Sequence, residues 1–242
     1  MNSSDKLYRQ LLTGGPKPAV AVLVDPEKAN AQSISKIVEQ CKKCKIDAIF
    51  IGGSLVSENP EQLISTIHQL TDIPVVLFPG SIIQISNNAD AILLLSLISG
   101  RNPEYLIGNH VLAAKSLYNS NLQIIPTGYI LIDGGNVTSV QYISNTTPIP
   151  ANKPELVVAT AIAGKLLGLK AIYLEAGSGA NKPVSPEIIS EVKKNIDIPI
   201  IVGGGIKTHA QFTEAANAGA NLIVIGNSLE SNPSKLSAII RG

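Results

Sequence analysis

Apolar residues along this chain gather into short, nearly unbroken runs, each closed by glycine, proline, serine or an acidic residue. The runs fall at 19–24, 48–51, 74–78, 91–95, 123–126 continuing through 128–133, 171–174, 199–202 and 222–225. Runs that do not alternate with polar residues mark strands covered on both faces, as in a parallel sheet wrapped by helices. Between them the spacing of apolar positions predicts helices at about 31–43, 60–70, 103–118, 154–167, 186–195, 208–218 and 233–240. Pro26, which offers no N–H to a ladder, stops the first strand, and Pro60 suits a first helical turn. Ala159, Ala161, Ala163 and Gly164 let the predicted helix at 154–167 press close to a neighbour.

Two stretches depart from this rhythm. Only 81–88 separates the third and fourth runs, too little for a full helix, so the third unit is expected to be short and irregular. The segment 134–152, with the polar run Ser144-Asn-Thr-Thr147 and two prolines, is expected to be a loop over one face. Eight buried strands, most followed by a helix, predict an α/β chain folded as one closed (β/α)8 TIM barrel over 1–242, with its third βα unit shortened. An open doubly wound sheet would leave two long apolar edge strands to protect.

Composition narrows the function classes. Of 242 residues 45% are apolar and 15% charged, which favours a well-buried fold over disorder. A net charge of +1 and the absence of Trp give no case for a nucleic acid partner. The N-terminus has no apolar signal region, and no apolar run reaches the roughly 18 residues of a membrane helix, so a cytoplasmic protein is expected. Cys41 and Cys44 form a lone CxxC without two further ligands, expected to be two reduced thiols on an outer helix.

In a barrel of this kind the chemistry is built at the C-terminal ends of the strands. That rule selects Asp25, Gly52 to Ser54, Pro79, Tyr129, Asp133, Glu175, Gly177, Ser178, Gly203 to Gly205, Gly226 and Asn227. Three consecutive strands run into glycine: Tyr173-Leu-Glu-Ala-Gly-Ser-Gly179, Ile200-Ile-Val-Gly-Gly-Gly205 and Leu222-Ile-Val-Ile-Gly-Asn227. Glycine loops and a helix N-terminus at such a rim supply N–H donors for a phosphate. Asp25 and Ser54 follow adjacent strands; together they suit Mg²⁺ shared with substrate phosphate, although Asp25 also fits as the cap of its own turn. Glu175 is the candidate base, against the plainer reading of a surface salt bridge. Tyr173 shares its face of the strand, so both point into the barrel mouth. Asp133 fits either a ligand contact or a loop cap, and His68, His110 and His209, none at a strand end, are expected to be structural.

These motifs, with Val24-Asp-Pro-Glu-Lys28, Ile51-Gly-Gly-Ser54, Phe78-Pro-Gly80 and Pro126-Thr-Gly-Tyr129, resemble over nearly the whole chain the geranylgeranylglyceryl phosphate synthase family of (β/α)8 prenyltransferases. The Tyr-Leu-Glu-Ala-Gly-Ser-Gly segment is the most specific of them. The resemblance implies joining sn-glycerol 1-phosphate to a polyprenyl diphosphate, with Mg²⁺, to give an ether lipid precursor. Asp25 and Ser54 match its metal positions. Tyr173, Leu174, Glu175, Ala176, Gly177, Ser178 and Gly179, with Gly204, Gly205, Gly226 and Asn227, match its glycerol phosphate site. Glu175 matches its base, with Tyr173 beside it as catalytic. Lys28, by its charge near Asp25, is assigned to the diphosphate. The family implies a homo-oligomer, dimer or hexamer, with transient membrane proximity for the lipid product. The short third unit leaves room for a prenyl groove at the barrel side, with Tyr105 as the candidate stopper.

Donor length stays open between geranylgeranyl and heptaprenyl diphosphate. Other barrels with a glycine-rich phosphate grip act as isomerases, epimerases or thiamin phosphate-type synthases. An isomerase would want a paired acid and base on opposing strands, whereas a non-catalytic phosphometabolite sensor would need neither Glu175 nor Asp25.

Overall fold

A computed structural model of the chain describes residues 5–54, 59–226, 229 and 232–242. Eight parallel strands close on themselves in sequence order: β1 (Ala19–Val24), β2 (Ala48–Ile51), β3 (Val75–Leu77), β4 (Ala91–Leu97), β5 (Gln123–Leu131), β6 (Ala171–Glu175), β7 (Ile200–Gly203) and β8 (Leu222–Ile225). Closure comes from β1 pairing with β8, where Ala21 lies opposite Val224. The expected barrel is therefore formed, and among the described residues no edge strand remains.

Alternation along each strand sorts the side chains into two cores. Ala21, Ala48, Phe50, Val76, Leu93, Ile125, Tyr173, Ile201 and Val224 fill the barrel interior. Their neighbours Val22, Ile49, Leu77, Ile92, Ile172, Leu174, Val202 and Ile223 face outward and pack under the helices. Both faces are apolar, which is why the runs read as unbroken in the sequence.

The helical layer is α2 (Ala31–Cys44), α3 (Glu61–Leu70), α4 (Asn109–Tyr118), α6 (Pro154–Leu166), α7 (Pro186–Asn195), α8 (His209–Asn217) and α9 (Lys235–Arg241). Cys41 and Cys44 are buried, free thiols on α2, and burial, with Cys44 adding to it, pushes the Cys41 thiol up to about 12. Such a group packs as a small apolar side chain. No described helix is long and apolar enough to cross a membrane.

Three elements differ from the sequence expectation. The predicted helix at 103–118 begins as a wide π-type turn, Glu104–Gly108, before α4. The predicted loop at 134–152 contains α5 (Ser139–Ser144), started by Thr138, whose Oγ1 accepts from the Gln141 N–H at 3.4 Å, and ended by Asn145 in the left-handed region. Ile149 then bridges to Ile132, so this segment is a tied-down cover. The third difference is α1 (Lys6–Tyr8), continuing as a π-type turn over Arg9–Thr13, which the sequence reading passed over.

Leu7, Leu11 and Leu12 on that segment are buried in the interior core and plug the N-terminal end of the barrel. Gln123, at the start of β5, holds the plug by accepting from the Leu7 N–H at 2.9 Å and the Tyr8 N–H at 3.3 Å. Leu11→Ala is expected to destabilise the fold by about 2–5 kcal/mol, the range for emptying a buried leucine site. Urea unfolding measures this, and a loss below about 0.5 kcal/mol would show that the plug does not belong to the cooperative core.

The third unit is short, as expected. Between β3 and β4 there is no helix, only the 3₁₀ turn Ile82–Gln84. The side of the barrel is open there, and that opening shapes the site.

Candidate active site

At the C-terminal mouth the strand ends enclose a cavity of about 590 Å³. Asp25 follows β1, Gly52 to Ser54 follow β2, and Phe78 follows β3; Glu175 ends β6, Gly204 and Gly205 follow β7, and Gly226 follows β8. Ser178 and Gly179 complete the β6 side, and α5 lays Ser139 and Val140 over the opening.

Glu175 is 5% exposed and makes no salt bridge among the described residues, so the surface-pair reading does not hold. Its register partner on β7 is Gly203, and its Oε1 accepts from the Gly177 N–H at 2.6 Å. Burial raises its carboxyl to about 7, while the Gly177 N–H and the Tyr173 hydroxyl pull it part of the way back. A carboxylate near neutrality is matched to taking a proton at physiological pH. Tyr173 and Tyr129 lie below it with ring centroids 5.4 Å apart, and Phe78 packs 5.1 Å from the Tyr173 ring. Burial first, and then the nearby Glu175 charge, hold both phenols well above 10, so they stay neutral donors.

Opposite the aromatic floor the backbone turns left-handed at four glycines, Gly177, Gly179, Gly204 and Gly205, with φ of +99°, +73°, +75° and +75°. Such turns aim successive N–H groups into one concavity. Two N–H groups just before α8 are already taken. The capping box of that helix sends the Lys207 and Thr208 N–H groups to Gln211 Oε1, at 2.8 and 3.2 Å. The glycine loops after β6 and β7 supply the described donors, and most of 227–231, after β8, lies outside the described residues. A cation the sequence reading missed also lines the cavity. Lys207 donates from Nζ to the Ala180 carbonyl at 2.9 Å, tying the β7 loop to the β6 loop.

Leu174 and Ala176 do not reach the cavity. By strand alternation both side chains sit in the outer core, so only their backbones belong to the rim. Asn227 lies outside the described residues. Asp133 caps its own loop, accepting from the Gly135 N–H at 2.9 Å.

On the facing wall Asp25 does two things at once. Its Oδ1 accepts from the Glu27 N–H at 3.1 Å, the turn cap expected of it, and its Oδ2 meets Lys28 Nζ at 3.3 Å. Lys28 and Ser54 line the same cavity. Among the described residues no cluster of three or more His, Cys, Asp or Glu is placed to hold an ion unaided. A carboxylate and a hydroxyl on one wall do fit a hard, oxygen-seeking ion that completes its shell with water and substrate phosphate.

A second, apolar cavity of about 110 Å³ adjoins the first beside the connection from β3 to β4, which holds no α-helix. Gly53, Ser54, Phe78, Tyr129 and Val140 line both cavities, and Ile82, Ile85, Leu94 and Tyr105 line the second. His110, expected to be structural, stands on its wall with Nε2 3.1 Å from Ser96 Oγ. Burial pushes the His110 imidazole down, against the Leu95 carbonyl, which favours a neutral ring.

Comparison with known proteins agrees with this geometry. A geranylgeranylglyceryl phosphate synthase of Chitinophaga pinensis is 48% identical over 233 residues, covering 95% of this chain and 92% of that protein. One from Pyrococcus abyssi is 41% identical over 229 residues, covering 91% and 90%. The crystal structure of (S)-3-O-geranylgeranylglyceryl phosphate synthase from Thermoplasma acidophilum, in complex with its substrate sn-glycerol-1-phosphate, superposes with a TM-score of 0.90 at 33% identity, covering 99% of this chain and 96% of that one. A thiamine phosphate pyrophosphorylase from Pyrococcus furiosus, at 14% identity and a TM-score of 0.56, shares the fold alone. The PcrB family model matches residues 18–242, and this chain belongs to the PcrB family.

Proposed function

We propose that the protein transfers the geranylgeranyl group of geranylgeranyl diphosphate to the 3-hydroxyl of sn-glycerol 1-phosphate, forming an ether and releasing diphosphate. The observation that carries this reading is a buried carboxylate, Glu175, lining the same cavity as a left-handed glycine grip, with an apolar cavity adjoining that one across shared lining residues. The grip holds the glycerol phosphate, with Gly204, Gly205, Ser178, Gly179 and Gly226 around it and Lys207 adding positive charge. Glu175 then lies beside the glycerol hydroxyl and accepts its proton as the C1–O bond to diphosphate breaks and the new C–O bond forms. Tyr173 holds the carboxylate in place. Holding both partners in line supplies much of the acceleration.

Asp25 and Ser54 are the residues that would hold Mg²⁺, and the ion would neutralise charge gathering on the departing diphosphate. Lys28 reaches the same place from the Asp25 turn. Asp25→Asn is expected to raise the Mg²⁺ concentration for half-maximal activity by about tenfold or more. Titration of activity with Mg²⁺ measures it, and an unchanged requirement would take Asp25 out of the metal site.

The apolar cavity receives the prenyl chain, with Tyr105 on its wall. Incubation with Mg²⁺, sn-glycerol 1-phosphate and labelled geranylgeranyl diphosphate tests the whole reading. Organic-soluble label is the expected result, and tight binding without product would replace it with a sensor. The same incubation with heptaprenyl diphosphate fixes donor length. We place the enzyme in the cytoplasm, meeting the membrane only to draw its donor and pass on its product. Val111, Leu112 and Tyr118 on α4, with Leu166 and Leu167 at the end of α6, are exposed large apolar side chains, and they support assembly as a homo-oligomer.

A further inference from the structure

The turn that replaces the third helix carries one deeply buried polar side chain. Gln84 ends the turn Ile82–Gln84 and is 1% exposed. Its Nε2 donates to the Gly53 carbonyl at 2.8 Å, and its Oε1 accepts from the Gly53 N–H at 3.3 Å. One carboxamide thus satisfies both backbone groups of one residue, as a neighbouring strand would. Gly53 needs such a partner because β2 ends at Ile51. Only a neutral side chain bearing both a donor and an acceptor can make this pair while buried, and an ionised one would bring its charge out of water.

The surroundings leave the segment no slack. A Cβ on Gly52 would overlap the Phe78 carbonyl, and a Cβ on Gly80 would overlap the Gly53 carbonyl and come within 3.1 Å of Ser54 Cα. The glycines permit this close approach but leave the chain itself loose. No α-helix stands between β3 and β4 to back the rim here; the Gln84 carboxamide does. The residue it steadies is followed directly by Ser54, which lines both the main cavity and the adjoining apolar one.

We propose that Gln84 is a positioning residue for the diphosphate end of the prenyl donor. It touches no substrate and acts through Gly53, holding the β2 rim so that Ser54 and the doorway between the cavities keep one geometry. The proposal rests on the prenyltransferase reading of the site. It also predicts an asymmetry: the glycine grip for glycerol phosphate is built from β6, β7 and β8 across the barrel, so loosening the β2 rim should leave it unchanged.

Two variants test this. Gln84→Met keeps length and burial and removes both hydrogen bonds. Gln84→Glu keeps the acceptor but sets an oxygen against the Gly53 carbonyl. Both are expected to weaken binding of inorganic pyrophosphate with Mg²⁺, by calorimetry, about tenfold, and to raise the KM for geranylgeranyl diphosphate about as much. The KM and Kd for glycerol phosphate should stay within about twofold, and the Gly53 amide should exchange faster with solvent. A lower melting temperature with pyrophosphate affinity, donor KM and Gly53 exchange all unchanged would make Gln84 merely structural and overturn the proposal. Equal losses for both substrates would overturn it as well. A wild-type protein that binds pyrophosphate but makes no ether would refute the prenyltransferase reading instead, and the pyrophosphate and exchange measurements would still decide the role of Gln84.

Discussion

Glu175→Gln is expected to lower turnover by about 10²–10⁴-fold, the usual contribution of a positioned base, while glycerol phosphate affinity stays within a few-fold. The amide is nearly isosteric, so its oxygen can still accept from the Gly177 N–H that now holds Oε1 at 2.6 Å. The grip therefore survives and only the proton acceptor is lost. In the wild type the carboxyl titrates at about 7, so the active carboxylate fills in as pH rises through that value. Turnover should climb across the same range and level off above it, whereas the residual rate of the variant should not. Near-normal turnover in Glu175→Gln would remove this residue from the mechanism.

The same shift predicts a change in stability of opposite sense. Glu175 moves from an ordinary 4.5 to about 7 on folding, so the folded protein holds this proton more tightly than the unfolded chain does. Below pH 4.5 both states are protonated and nothing is lost. Between about 4.5 and 7 the unfolded chain ionises first and stability falls, reaching a deficit on the order of 3 kcal/mol above pH 7. Glu175→Gln removes that deficit. It is expected to melt higher than the wild type at pH 8 and at the same temperature near pH 4. Equal melting temperatures at pH 8 would mean that the carboxyl is not destabilised by its burial. An inactive but more stable variant is the mark of a group kept for chemistry.

The barrel was legible because parallel strands buried on both faces write themselves as unbroken apolar runs, and the rim because each run stops at a residue able to turn. Other features depend on contacts the linear pattern does not carry. The plug Leu7, Leu11 and Leu12 has a helical spacing, but so short a segment shows barely one repeat. Helix α5 is six residues long, and its cap Thr138 looks like any loop threonine. Gln84 reads as a loop residue because a neutral carboxamide gives no sign of burial. Leu174 and Ala176 pose a different difficulty. They sit inside the most specific motif, yet strand alternation turns their side chains away from the cavity. That Glu175 ends a strand was visible in the sequence; its proximity to neutral pH was not, because the shift comes from residues far apart in the chain closing over it.

Gly204→Ala should be the most damaging single-methyl change in the grip, weakening glycerol phosphate binding by about 100-fold or more. Two costs combine. The residue has φ of +75°, where any Cβ carries about 1–2 kcal/mol of strain. The added carbon would also land on Glu175 Oε1 and lie 2.7 and 2.8 Å from the Gly177 carbonyl oxygen and nitrogen. Overpacking of that kind costs about 1–3 kcal/mol where neighbours cannot yield, and here they cannot. The Gly177 N–H is bound to Glu175, and Gly177 itself is packed against Thr138 at the start of α5. Either the carboxylate leaves its hydrogen bond or the β6 and β7 loops spread, and each outcome breaks the site. Two other glycines separate the costs. Gly179 and Gly168 have φ of +73° and +84°, with nothing within 4 Å of an added Cβ. Alanine there should bring the backbone strain alone, visible as a similar small loss in melting temperature. Gly179→Ala should still bind glycerol phosphate within about tenfold of the wild type. If calorimetry shows Gly204→Ala binding as well as Gly179→Ala, the close contact between the β7 loop and Glu175 is not what shapes the phosphate grip.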